Sequence, residues 1–177
     1  YRHLLTFLHD REDLVRWRAV VACGRVAGVL AERDLEGVRE LIRRLLWWMN
    51  DESGALLRVA PEVLAEILIN VEPLVIEYAD LLPAYIREEP FERGALWAIS
   101  RLAAVYPDAI EGAAERVETG MRSEDPGIRG HTGLALRALG AAPPSPPRLE
   151  DATFVTYDVA RDTLVEEEIP ALQPALS

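Results

Sequence analysis

The sequence predicts an all-α fold: an α-α superhelix of about seven helices over residues 1–140, a proline-rich linker over 141–149, and a tail over 150–177 with a short β-hairpin. Three observations support this. Apolar residues recur at helical spacing from Asp13 to Leu139. Pro73, Pro90, Pro107 and Pro126 follow one another at 17 to 19 residues, each at a first helical position, where a missing N–H costs little. Two such steps make a helix pair of about 35 residues, the period of an α-solenoid rather than of a closed bundle. After Gly140 the chain changes to prolines and then to β-branched and aromatic residues.

Residues 3–9 read as the end of a helix, and Tyr1 is not a natural start, so residues upstream are expected. The next helix runs from about Asp13 to Leu30, with Val15, Ala19, Ala22, Val26 and Val29 expected on its buried face. Asp34 caps a helix to Met49 that buries Leu35, Val38, Ile42, Leu45 and Met49. A helix from Pro61 buries Leu64, Ile67 and Leu68. One from Pro73 carries Leu74, Tyr78, Leu81, Leu82 and Tyr85, and one from Pro90 carries Ala95, Ile99, Leu102 and Ala103. Pro107 opens a helix with Ile110, Ala113, Ala114 and Val117. Asp125-Pro126 opens the last, with Ile128, Thr132, Leu136 and Leu139. In the tail, residues 153–159 and 163–169 are β-prone and flank Ala160-Arg161-Asp162, which predicts a hairpin. An isolated hairpin is marginal in water. It is expected to dock on the helices, since Phe154, Val155 and Tyr157 would otherwise be exposed; joining two subunits is the alternative.

Composition narrows function by exclusion. A net charge of −11 argues against nucleic-acid binding, which needs cations to neutralise phosphate. All 19 basic residues are arginine, so every cation is a planar fork suited to carboxylates and aromatic faces. No apolar run approaches the roughly 18–20 residues of a membrane span. The single cysteine, Cys23, rules out an internal disulfide and sits among small apolar neighbours, which fits a reducing cytoplasm.

Four groups of residues are candidates for a site. The break after Trp47, Asn50-Asp51-Glu52-Ser53, offers metal ligands or acid and base groups, but reads first as a helix end running into a polar loop. Glu62 and Glu66 share a helical face at i, i+4 and could hold a metal or serve hydrolysis. With Arg58 four residues earlier, they also read as an ordinary charged face. Trp97 lies off its helix's apolar stripe and is flanked by Arg93 and Arg101 at i−4 and i+4. Such a stripe suits an acidic partner through charge and cation–π contact, or else packs between neighbouring helices. His3, His9 and His131 are scattered, and no phosphate loop or nucleophile elbow is present.

The period, Val15-Arg16-Trp17-Arg18-Ala19 and Ile128-Arg129 resemble HEAT-like repeats, including the bilin-lyase-type subclass, over about Asp13–Gly140. The 50–54 and 61–66 segments resemble small bacterial HEAT-like proteins without an assigned reaction, in which a Gly- and Trp-containing link is expected. This chain has Ala55-Leu56-Leu57-Arg58 there. The expectation is a non-enzymatic module that binds a protein partner, with no cofactor. Its main contacts would be Arg93, Trp97, Arg101 and the 50–53 loop, and replacing Trp97 and Arg101 should leave stability intact. The resemblance also implies an alternative, tetrapyrrole or cofactor handling, with Asp51, Glu52, Glu62 and Glu66 near the ligand.

Overall fold

Helix α2 (Asp13–Ala31) is the first long element of the computed structural model, which describes residues 2–50, 57–110, 112–141 and 153–169. A short helix α1 (Arg2–Thr6) and a 3-10 turn (Phe7–His9) lead into it. The face that α2 buries is turned from the expected one: Ala19 is buried as expected, but Val15, Ala22 and Val26 are only half-buried. Val20, Cys23, Gly24 and Ala27 are buried, while Val29 is exposed. Counting apolar residues missed the glycines. A Cβ on Gly24 would clash with the carbonyl oxygen of Glu66, and one on Gly28 would press on Asn70. The two backbones therefore touch along a glycine track, and α2 turns that track inward.

Its neighbour there is α4 (Ala60–Asn70), whose residues from Ala60 to Leu68 are all buried. Between them in sequence, α3 (Leu35–Met49) starts at Asp34, whose side chain accepts the Gly37 N–H at 2.8 Å. It buries Val38, Ile42, Leu45 and Met49 as its period predicts, with Leu35 half-buried.

The segment from Pro73 departs most from expectation. It forms a 3-10 turn (Glu72–Leu74), a single helical turn α5 (Val75–Tyr78) and a 3-10 stretch (Ala79–Arg87). Pro83 lies inside that stretch, where it lacks an N–H and crowds the preceding turn. Likewise, the helix expected from Pro107 splits into a 3-10 turn (Pro107–Ile110) and α7 (Ala114–Glu118), separated near Gly112 at φ +83°. A further 3-10 turn covers Thr119–Arg122.

Helices α6 (Glu92–Ala103) and α8 (Pro126–Ala138) match the prediction. Asp125 caps α8 through the N–H groups of Gly127 and Ile128. Alternate helices pack in order: α2 on α4, α4 on α6, α6 on α8. They run parallel, since Gly24 and Gly28 meet Glu66 and Asn70, and Gly94 and Arg101 meet Glu62 and Glu66.

Strands β1 (Thr153–Asp158) and β2 (Thr163–Glu168) pair antiparallel, Thr153 opposite Glu168 and Asp158 opposite Thr163. The Asp158 carboxylate accepts the N–H groups of Ala160 and Arg161 to close the turn. The hairpin docks as expected, in large part. Phe154 and Tyr157 are buried, while Val155 faces out. Phe154 lies on Gly130 of α8 with His131 edge-on at 5.1 Å, and Thr156 bonds His131 Nε2 at 3.2 Å. Burial pushes the His131 pKa down to about 4, keeping the ring neutral against the hairpin.

Gly24→Ala tests the close helix approach. The new methyl must displace backbone rather than a mobile side chain, at a cost of about 1–3 kcal/mol. At 2–4 °C per kcal/mol the melting temperature falls by roughly 5 °C in a circular dichroism melt. An unchanged value would mean that α2 and α4 do not touch at this glycine.

Candidate functional site

Glu62 and Glu66 are not an exposed charged face. Both are buried on α4, and Glu66 pairs with Arg101 of α6 at 2.9 Å, 35 residues away, rather than with Arg58. Glu62 has no such partner. It is 6% exposed, and its Oε2 makes no hydrogen bond among the described residues. Burial raises its pKa to about 8, opposed only in part by its own backbone N–H and by the charge on Arg16. At neutral pH this carboxyl is therefore mostly protonated.

Glu62 lines a cavity of about 440 Å³ at the N-terminal ends of α2, α4 and α6. Arg16 and Trp17 come from α2, Arg58 precedes α4, Arg93 comes from the first turn of α6, and His9 and Asp10 close the rim. Arg16 donates to the Asp10 carbonyl at 2.7 Å and pairs with Asp13. Arg93 pairs with the capping Asp125 of α8, which links the consecutive packed helices α6 and α8. Arg58 is exposed and makes no ion pair among the described residues.

Above the Glu66–Arg101 pair, Trp97 is 2% exposed and Arg101 lies 5.8 Å from its ring. Trp17 tilts against it at 4.8 Å and stacks on Tyr157 of the hairpin at 5.2 Å. The Trp97 indole N–H donates to the Tyr157 carbonyl at 3.4 Å. Asp162 accepts from Arg18 and from the Tyr157 hydroxyl, so the hairpin tip is tied to α2. Burial and the Asp162 carboxylate raise the Tyr157 pKa to about 12. At the centre of the Arg93-Trp97-Arg101 stripe, Trp97 is thus closed to a partner, while Arg93 stays exposed. Trp97 does point off the main core, but the chain's own hairpin covers it.

The remaining expected residues lie elsewhere. Trp47 is 61% exposed on α3. Asn50 ends that helix, donating to the Leu46 carbonyl and to the Tyr85 hydroxyl beside a separate cavity of about 290 Å³. Asp51, Glu52 and Ser53 lie outside the described residues, as do the linker from residue 142 and the tail from 170. Among the described residues no three His, Cys, Asp or Glu side chains come together as a metal site, and no helix is long and apolar enough to cross a membrane.

A third concave surface was missed by sequence reasoning. At the opposite, C-terminal end of α6, a groove of about 700 Å³ is lined by Val75, Ile76, Val105, Tyr106, Pro107 and Ala109. Glu72, Asp80 and Asp108 also line it, and among the described residues no basic one does. Ile76 is 93% exposed, the most exposed large apolar side chain among the described residues. The signal was present: Ile76 falls off the stripe of Leu74, Tyr78 and Leu81, an apolar residue on a face expected to be polar.

No family model and no solved structure matches the chain. A protein of Archaeoglobus fulgidus, described as "Uncharacterized protein", is 34% identical over 147 residues, 77% of this chain and 73% of that protein. At that identity and coverage the two share one family, and the chain belongs to the family of this archaeal protein.

Proposed function

We propose that the chain is a HEAT-like α-solenoid that acts as a non-enzymatic binding module, and that it takes a basic, amphipathic segment of a protein partner in the Ile76 groove. The solenoid reading is supported by the order in which parallel inner helices stack while the intervening segments flank them. The binding reading is carried by Ile76, held out in water beside Val105 in a groove edged by three carboxylates. Exposed apolar surface rimmed by polar groups marks interaction sites, and a rim of a single sign selects the opposite charge in its partner. Trp97 is replaced as a contact, because the hairpin covers it, and Arg101 is held by the buried Glu66. Pairing of two copies through β2 is opposed by Glu166, Glu167 and Glu168, which would bring like charges together.

The test uses two labelled helical probe peptides of equal length, one leucine- and arginine-rich, the other leucine- and glutamate-rich. Fluorescence polarisation should show the basic peptide binding, more weakly as salt is raised, and Ile76→Glu should weaken it at least tenfold. Because Ile76 is exposed, its substitution leaves the melting temperature unchanged. Equal binding of both peptides, or equal binding by Ile76→Glu, would remove the groove as the partner site.

A further inference from the structure

The cavity at the other end of the inner helices has a different character. Helices α2, α4 and α6 run parallel, so their N-terminal ends open on the same space. Each end presents unsatisfied backbone N–H groups and a partial positive charge. Three arginines stand there as well, where a cation opposes the helix dipole, whereas α2 and α4 have no basic residue in their last turns, where one would stabilise them. Helix stability does not account for that placement.

The second observation is Glu62 on the cavity wall, buried with one oxygen unpartnered. A native protein seldom leaves such an atom without a partner, so a ligand, ion or water is expected to meet it. The acids nearby are engaged: Asp10 accepts the Glu12 N–H, Asp13 pairs with Arg16, and Asp125 pairs with Arg93 and caps α8. Each guanidinium has five donors, so Arg16 and Arg93 keep donors beyond those pairs, and Arg58 stands at the rim. A cation would be repelled by all three arginines. From these groups we infer that the cavity binds a small molecule through an oxyanion, a carboxylate or a phosphate, held by Arg16, Arg58 and Arg93 with the Glu62 carboxyl donating its proton as a hydrogen bond. The volume of about 440 Å³ falls within the range of small-molecule sites, and Trp17 is among the residues that line it.

Protonated Glu62 assists an anion and ionised Glu62 repels it. The groups facing it are Arg16 and Trp17 of α2, Arg58, Arg93 and Gly94 of α6, and His9 and Asp10 of the N-terminal segment. A guanidinium is not deprotonated in proteins, so loss of binding at high pH reports Glu62.

The experiment is calorimetric titration of the full chain with inorganic phosphate and with citrate, at constant ionic strength. Saturable binding of one of them is expected at about pH 7, and the anion that binds more tightly tells phosphate from carboxylate chemistry. Arg58→Ala should weaken it at least tenfold; Arg58→Gln serves instead if circular dichroism shows the alanine variant altered. Citrate, almost fully ionised from about pH 7, carries the pH arm, with Glu62 taken through its transition by about pH 9. Its binding should fall in the native protein and stay level in Glu62→Gln. No saturable binding of either anion, binding unchanged by both Arg58 variants, or a fall equal in Glu62→Gln would each overturn the site. Loss of the Ile76 groove in its own test would leave this result untouched.

Discussion

Trp97→Ala will lower the melting temperature by roughly 10 °C, against the expectation from sequence that this position is dispensable for stability. The indole is 2% exposed between Trp17, Val21 and Tyr157, and its N–H is bonded to the hairpin backbone. Truncating a buried tryptophan costs about 3–5 kcal/mol, and each kcal/mol moves the transition of a chain this size by about 2–4 °C. Arg101 should follow in part: its removal leaves Glu66 buried without its cation, and breaking a buried pair by removing one partner costs about 3–5 kcal/mol at most. A circular dichroism melt decides the matter. A fall of less than about 2 °C for Trp97→Ala would mean that the hairpin does not seal this face.

Glu62→Gln will make the protein more stable at alkaline pH and flatten its stability against pH. In the native state the carboxyl keeps its proton to about pH 8; when unfolded it loses it near the ordinary value of 4.5. Between those values the folded state binds the extra proton, so stability falls as pH rises, by about 1.4 kcal/mol per pH unit at full slope. Below pH 4.5 the group contributes no slope, and above about 8 the loss is complete. Glutamine has the same shape and no charge to bury, so it should gain a few kcal/mol over the native protein at about pH 8–9 and little near pH 4–5. Urea unfolding of both proteins across this range measures the difference. Parallel curves would show that Glu62 is ionised, and paired, in the folded state.

Much of the fold was legible because its causes are local. Asp34 and Asp125 announce their helices by capping chemistry, and the hairpin is announced by Ala160-Arg161-Asp162 between two β-prone runs. What stayed hidden depends on distant partners. The buried face of α2 is set by the backbone of α4 against Gly24, which no apolar count registers. Glu66 reads as a surface charge until Arg101 is found across the helix pair. Trp97 was correctly set apart from its stripe, but its cover comes from Tyr157, 60 residues later. Glu62 was singled out, while its isolation was not, since lacking a partner is a property of the whole packing.

The hairpin has a consequence for how the molecule comes apart. In a linear stack each helix pair touches only its neighbours, so end pairs fray first and unfolding spreads inward by steps. Here β1 rests on α8, the last of the four helices that pack in order, while Tyr157 and Asp162 grip Trp17 and Arg18 of α2, the first. The row is fastened end to end, like a bracelet with its clasp shut. Neither end helix can loosen without opening the clasp, and melting becomes one concerted event instead of a series.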